Sequence, residues 1–155
     1  MDETKQVLAR ALRALTRRDH STAELARKLR DGGTAPPQVE ATIARLREAG
    51  YLDDRRFARQ WADSAVRSGR GYGPRLRLEL QRRGIADEII AEVLTEVAAE
   101  YGEAEMLAAL LARKFAGFAP ATAPDREKRR VMGYLQRRGF SPAAIMDYFR
   151  GFHDR

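Results

Sequence analysis

The sequence contains no cysteine and only two histidines, His20 and His153. Without cysteine the chain has no disulfide, no thiol nucleophile and no cysteine-ligated zinc. Because the two histidines lie near opposite ends of the sequence, we expect neither a metal site nor a nucleophile–base pair. We therefore predict a protein that is not an enzyme and that needs no cofactor.

Long apolar runs and strand-like patterns are also missing. No stretch approaches the roughly 18 consecutive apolar residues of a membrane span, and the acidic start, Met1 to Lys5, has no apolar run behind a basic head. Alternation of apolar and polar residues, typical of strands, is nearly absent, whereas helical periodicity runs throughout. These absences predict an all-α, cytoplasmic protein without membrane association.

The most informative feature that is present is a repeat. The sequence Leu-Gln-Arg-Arg-Gly at 80–84 recurs at 135–139, and a degenerate copy, Leu-Arg-Asp-Gly-Gly, stands at 29–33. In each copy the leucine has an apolar partner four residues earlier; these pairs are Leu25 with Leu29, Leu76 with Leu80, and Val131 with Leu135. A period of about 50 residues is typical of a modular array.

The sequence pattern predicts three helices in each repeat. In the first, Ser21 and Glu24 form a capping box at the start of the middle helix, Gly32-Gly33 ends that helix, and Pro36-Pro37 begins the next. Such trios are too small to bury their own apolar faces, so they must pack against their neighbours. We predict an elongated, curved array about 60 to 80 Å long, with helix-turn-helix-like repeats at 1–52, 53–99 and 100–155.

Positive charge is concentrated in the central segment. Residues 55–85 carry nine Lys or Arg and two Asp or Glu, which gives +7, whereas 1–54 balance to +1 and 86–155 to −1. A patch of this kind attracts a polyanion or an acidic protein surface.

Three motifs have both a chemical and an ordinary interpretation. The pair Asp53-Asp54 stands at a helix start and is better explained as capping than as a catalytic carboxylate pair. The loop Gly69 to Gly73 fits either an anion-binding nest flanked by arginines or a flexible turn, and it lacks the ending of a P-loop. Trp61, with Phe57 and Ala65 at helical spacing, fits a core position better than a base-stacking platform.

Basic residues also recur on the middle helices. They are Arg27, Lys28 and Arg30; Arg75, Arg77, Arg82 and Arg83; and Arg126, Lys128, Arg129, Arg130, Arg137 and Arg138. Either these are solvated faces, or they form one basic stripe along the array. The final helix of the second repeat carries Asp87, Glu88, Glu92 and Glu96 and no Lys or Arg. Such a helix would be repelled from a DNA groove, which disfavours a stand-alone helix-turn-helix DNA reader, the alternative function.

The central segment contains, in order, a Tyr-Leu-Asp-Asp turn at 51–54, Phe-Ala at 57–58, Trp61, a Gly-rich loop at 69–73 and an Arg-Gly-Ile sequence at 83–85. With these motifs it resembles the RecX family of recombination regulators. The capping box before them and the sequence at 134–140 after them fit as well, so the resemblance covers nearly the whole chain.

This resemblance implies a non-enzymatic protein that binds the RecA filament and inhibits its recombinase, ATPase and coprotease activities, in the regulation of DNA repair and the SOS response. We expect a monomer, although the sequence leaves the oligomeric state open. Binding to naked single-stranded DNA is expected to be weak and non-specific. Binding to double-stranded DNA is an open alternative, and it is expected to be weak and non-specific as well. The candidate residues for contact with RecA or DNA are Arg55, Arg56, Arg59, Arg67, Arg70, Arg75, Arg77, Arg82, Arg83, Arg129, Arg130, Arg137 and Arg138.

Overall fold

The structure, a computed structural model, describes residues 2–151. In this range the chain is all-α, without a strand. Its helices are α1 (Glu3–Arg17), α2 (Thr22–Asp31), α3 (Pro36–Glu48), α4 (Asp54–Ser68), α5 (Pro74–Arg82), α6 (Asp87–Glu100), α7 (Glu103–Lys114), α8 (Asp125–Arg137) and α9 (Pro142–Gly151). None of these helices is long and apolar enough to cross a membrane.

The predicted helix signals in the first repeat are confirmed. The Ser21 hydroxyl accepts from the Glu24 amide at 3.1 Å, and the Glu24 carboxylate accepts from the Ser21 amide at 3.1 Å, which completes the capping box of α2. Gly33 follows α2 with φ of 92°, a left-handed conformation that glycine adopts without steric cost. Pro36 starts α3, where no amide hydrogen is needed.

The two adjacent aspartates at the start of α4 have different structural roles. Asp53 Oδ1 accepts from the Arg56 amide at 3.0 Å, which confirms that Asp53 caps the helix. Asp54 Oδ1 instead accepts from the Thr22 amide at 2.8 Å, so it ties α4 to the start of α2. This is a structural explanation for both carboxylates.

The chain divides into two compact units. One comprises Met1–Gln60 with Leu80–Ile90, and the other comprises Trp61–Glu79 with Ala91–Arg155. Helices α4, α5 and α6 therefore each contribute residues to both units, although they form one repeat in sequence. The repeat borders at 1–52, 53–99 and 100–155, and the elongated shape of the array, stay predictions.

The apolar pairs that define the repeat are all buried. In the first unit α1, α2 and α3 pack together around a core that includes Leu25 and Leu29. In the second unit α7 and α8 both pack against α9, and Val131 and Leu135 are fully buried. Each leucine buried in this way contributes about 2 kcal/mol. The repeat therefore marks the core positions.

Candidate interaction surface

The carboxyl end of α5 docks on the start of α2. The Ser21 hydroxyl donates to the Arg83 carbonyl oxygen at 2.5 Å, and Arg83 Nη1 donates to Glu24 Oε2 at 3.0 Å. Gly84, with φ of 78°, lies so close to Ala23 that any Cβ at position 84 would overlap the Ala23 side chain. The capping box thus caps the start of α2, and its two side chains also bind Arg83 at the end of α5.

A second junction of the same design joins the end of α8 to the start of α5. The Tyr72 amide donates to the Arg138 carbonyl oxygen at 2.8 Å, and the Tyr72 ring stacks on Phe140 with 5.3 Å between ring centres. A Cβ on Gly139, which has φ of 102°, would overlap the Tyr72 carbonyl oxygen. Sequence reasoning did not identify Tyr72, whose role depends on residues more than 60 positions away.

At the equivalent position of the first repeat, the end of α2 contacts α1. The Gly32 carbonyl, which corresponds to those of Arg83 and Arg138, accepts from Arg10 Nη1 at 3.3 Å. Arg10 Nη2 also donates to the Thr34 hydroxyl at 2.5 Å. A Cβ on Gly33 would meet nothing within 4 Å. Arg10 therefore caps the carboxyl end of α2 from within the first repeat.

The junctions divide each Arg-Arg pair into a structural and an exposed member. Arg83 and Arg138 fold back on the protein: Arg83 pairs with Glu24, and Arg138 Nη1 donates to the Arg70 carbonyl at 3.4 Å. Arg82 and Arg137 are exposed, and their side chains make no hydrogen bond or ion pair with any described residue. The first arginine of each pair is thus available to a partner.

Glu24 makes the ion pairs of the first junction, with Arg83 and Arg18. Burial raises the pKa of Glu24, but the Ser21 amide and the guanidinium groups of Arg83 and Arg18 outweigh burial and hold it below the ordinary value of 4.5. Its side chain is 14% exposed. The carboxylate is therefore ionised and paired at neutral pH.

Several central arginines are held within the second unit. Arg75 Nε lies 3.4 Å from Glu79 Oε1, and the Arg70 guanidinium lies 5.2 Å from the centre of the Trp61 ring. Trp61 Nε1 donates to Glu79 Oε2 at 3.0 Å. The prediction that Trp61 is a core residue is wrong in part, because its ring is half-buried and its polar end is held by a buried carboxylate.

The glycine-rich loop is not an anion-binding nest. Its amides at Gly69, Arg70 and Gly71 donate to carbonyl oxygens at the end of α4, and the next amide, at Tyr72, donates to Arg138. Gly69, with φ of 73°, ends α4 just as Gly33 ends α2. Because these four amides have partners inside the protein, they are not available to a phosphate. The loop is also largely buried.

The candidate arginines divide by exposure. The exposed members are Arg55, Arg56, Arg67, Arg77, Arg82, Arg129, Arg130 and Arg137, and the half-buried members are Arg59, Arg70, Arg75, Arg83 and Arg138. Among the exposed ones, Arg56 donates to the Gly50 carbonyl at 3.3 Å and Arg67 to the Asp63 carbonyl at 3.3 Å. We define the free arginine set as Arg77, Arg82, Arg129 and Arg137, whose side chains make no hydrogen bond, ion pair or ring contact with the described residues.

No described group of histidine and acidic residues has the arrangement of a metal site. His20 is 5% exposed, and its Nδ1 lies 2.9 Å from the Arg18 carbonyl oxygen. His153 lies outside the described residues. Exposed arginines are the recurrent chemical feature of the candidate surface.

Comparison with known proteins gives the chain a family. Three models match consecutive segments: the first three-helix domain of RecX at residues 8–46, the second at 53–94 and the third at 102–149. These matches confirm the predicted series of three tandem three-helix repeats.

Individual relatives agree with the family models. The chain is 40% identical over 139 residues to the regulatory protein RecX of Syntrophotalea carbinolica, covering 90% of this chain and 91% of that protein. It is 41% identical to the regulatory protein RecX of Trichlorobacter lovleyi, covering 90% of each. The solved structure of RecX from Lactobacillus salivarius superposes with a TM-score of 0.78 at 18% identity, covering 97% of this chain and 96% of that one. A crystal structure of a regulatory protein RecX gives a TM-score of 0.80 at 22% identity, covering 99% of this chain and 74% of that one. The chain belongs to the RecX family of regulatory proteins.

Proposed function

We propose that this chain binds the RecA filament on single-stranded DNA and inhibits its recombinase, ATPase and coprotease activities. In that role it takes part in the regulation of DNA repair and the SOS response. Membership of the family over nearly the whole chain is the observation that carries this proposal. The free arginine set supplies a physical means of attraction to an anionic partner.

The charge distribution supports a nucleoprotein partner over naked DNA. The excess of +7 lies in residues 55–85, but four of the nine candidate arginines there, Arg56, Arg67, Arg75 and Arg83, are tied to carbonyl groups or carboxylates of the protein. In addition, α6 exposes Asp87, Glu88 and Glu92. A central repeat that holds several of its arginines internally and has an acidic last helix should bind naked DNA weakly.

The second candidate is a stand-alone helix-turn-helix DNA reader. It would place the last helix of a repeat in the major groove, where basic and amide side chains contact base edges. Helix α6 has neither an arginine nor a lysine. This composition disfavours sequence-specific reading by the central repeat.

ATP turnover tests the proposal. RecA on single-stranded DNA should hydrolyse ATP more slowly when this protein is added, and inhibition should begin at protein levels well below those that saturate the DNA. A variant with Arg77→Ala, Arg82→Ala and Arg137→Ala should inhibit less. A matched control, Arg13→Ala with Arg17→Ala on α1, removes exposed arginines outside the set and should inhibit normally. Unchanged turnover with the wild-type chain would refute the proposal.

A further inference from the structure

A small depression in the first unit combines hydrogen-bond acceptors with an exposed aromatic ring. Residues from the α1–α2 link, the α3–α4 link and the first turns of α4 line it. They are Asp19, His20, Tyr51, Asp53, Arg56, Phe57 and Gln60. The free volume is about 10 Å³, which is room for one water molecule or for the tip of one side chain.

His20 brings to this depression a buried acceptor that has no donor. Its Nδ1 contacts the Arg18 carbonyl oxygen, which can only accept, so Nδ1 carries the hydrogen and Nε2 carries a lone pair. Nε2 is buried and has no hydrogen-bond partner among the described residues. Burial is the main cause that lowers the pKa of His20 from its ordinary 6.5, so the ring is neutral at pH 7. A buried acceptor without a partner is unfavourable, and a hydrogen-bond donor from a binding partner would satisfy it.

Tyr51 provides a rigid and exposed ring at the rim. Gly50, with φ of 80°, ends α3, and the Tyr51 amide donates to the Leu46 carbonyl at 2.9 Å. The neighbouring Leu52 is buried, whereas the Tyr51 ring is 58% exposed. The backbone turn therefore fixes an aromatic ring towards solvent, where tyrosine is a common anchor of protein interfaces.

The charge of the depression opposes that of the chain. Asp19 and Asp53 contribute two carboxylates and Arg56 one guanidinium, so its formal charge is −1 where the whole chain carries +7. The Asp53 carboxylate uses one oxygen for the Arg56 amide, and Arg56 Nη2 donates to Gly50. Such a site attracts a cation and repels phosphate.

We propose that this depression binds a lysine or arginine side chain of a protein partner. The cationic group lies over the Tyr51 ring, donates an N–H to His20 Nε2 and is paired with Asp19 and Asp53. The inference rests on the proposed function, because the partner surface is that of RecA in the filament. The first unit would then contact protein, and the free arginine set would contact phosphates or acidic groups.

Substitutions can test whether this site contacts a protein partner or nucleic acid. Tyr51→Ala and Asp19→Asn should each weaken binding to the RecA filament about tenfold, the scale of one interface anchor, and leave binding to naked single-stranded DNA unchanged. Tyr51→Phe keeps the ring and should bind like the wild type. Leu78→Ala, an exposed apolar residue outside the depression, is the matched control. Thermal unfolding should be unaffected, because both altered side chains are exposed.

The outcomes are distinct. If the wild-type chain does not bind filaments, the proposed function fails and this inference fails with it. If the wild type binds while Tyr51→Ala and Asp19→Asn bind equally well, only the inference is overturned. A parallel loss of naked-DNA affinity would also overturn it, because the ring would then contact nucleic acid. A photo-crosslinking amino acid in place of Tyr51 should attach to RecA; attachment only to DNA or only to a second copy would contradict the assignment.

Discussion

At the scale of single residues, neighbouring arginines of one motif have opposite roles. Arg82 is exposed without a described partner, whereas Arg83 pairs with Glu24 across a junction. We expect Arg82→Ala to change the free energy of unfolding by less than about 0.5 kcal/mol but to weaken filament binding. Arg83→Ala should cost about 1 kcal/mol of stability, since its half-exposed ion pair is partly screened.

Urea unfolding and filament affinity, measured on both variants, check this difference. The Arg137→Ala and Arg138→Ala pair offers an independent repetition, since Arg138 donates to the Arg70 carbonyl and Arg137 is free. Equal loss of stability in Arg82→Ala and Arg83→Ala would contradict the division.

Glu24 gives this junction a pH dependence with a definite sign. Its pKa is lower in the folded chain than the ordinary 4.5, so its contribution is present above that pH and is lost as the pH falls through the folded value. Glu24→Gln should therefore lower the free energy of unfolding at pH 7 by about 2 kcal/mol. The fall in stability between about pH 5 and pH 3 should also be shallower than in the wild type. If Glu24→Gln leaves the stability at pH 7 and its fall in acid unchanged, Glu24 does not stabilise the junction.

At the scale of elements, the glycine after each middle helix has a role set by its neighbour. Position 33 is open, whereas Gly84 abuts Ala23 and Gly139 abuts Tyr72. Gly33→Ala should cost about 1 to 2 kcal/mol for the left-handed backbone alone. Gly84→Ala and Gly139→Ala add overlap to that strain and should cost about 3 kcal/mol or more. Thermal unfolding of the three variants tests the order, and equal costs would show that the junctions are not closely packed.

The sequence predicted the elements better than the contacts between them. Helix limits, the capping box and the buried pairs such as Leu76 with Leu80 follow from signals within about ten residues. The structural roles of Arg10, Tyr72 and the second arginine of each pair were not predicted, because their partners lie 22 or more positions away. The glycine loop was misread for a related reason. Its pattern also fits a helix stop, and only the structure shows that α4 and Arg138 use its amides.

At the scale of the whole molecule, the net charge is larger than the positive charge that is available to a binding partner. The central segment carries nearly all of the +7, yet several of its arginines are held by Glu24, Glu79 or backbone carbonyls. The composition of the segment therefore predicted an attractive surface, but it could not say which cations remain available. Whether the basic residues of α2, α5 and α8 form one stripe stays a prediction.

The salt dependence of filament binding tests the central claim most directly. If about four free arginines contact phosphates of the filament, the logarithm of affinity should fall against the logarithm of salt concentration with a slope near −3. The variant with Arg77→Ala, Arg82→Ala and Arg137→Ala should bring the slope to about −1, while Arg13→Ala with Arg17→Ala should leave it at the wild-type value. An unchanged slope in the triple variant would show that the free arginine set does not carry the interaction.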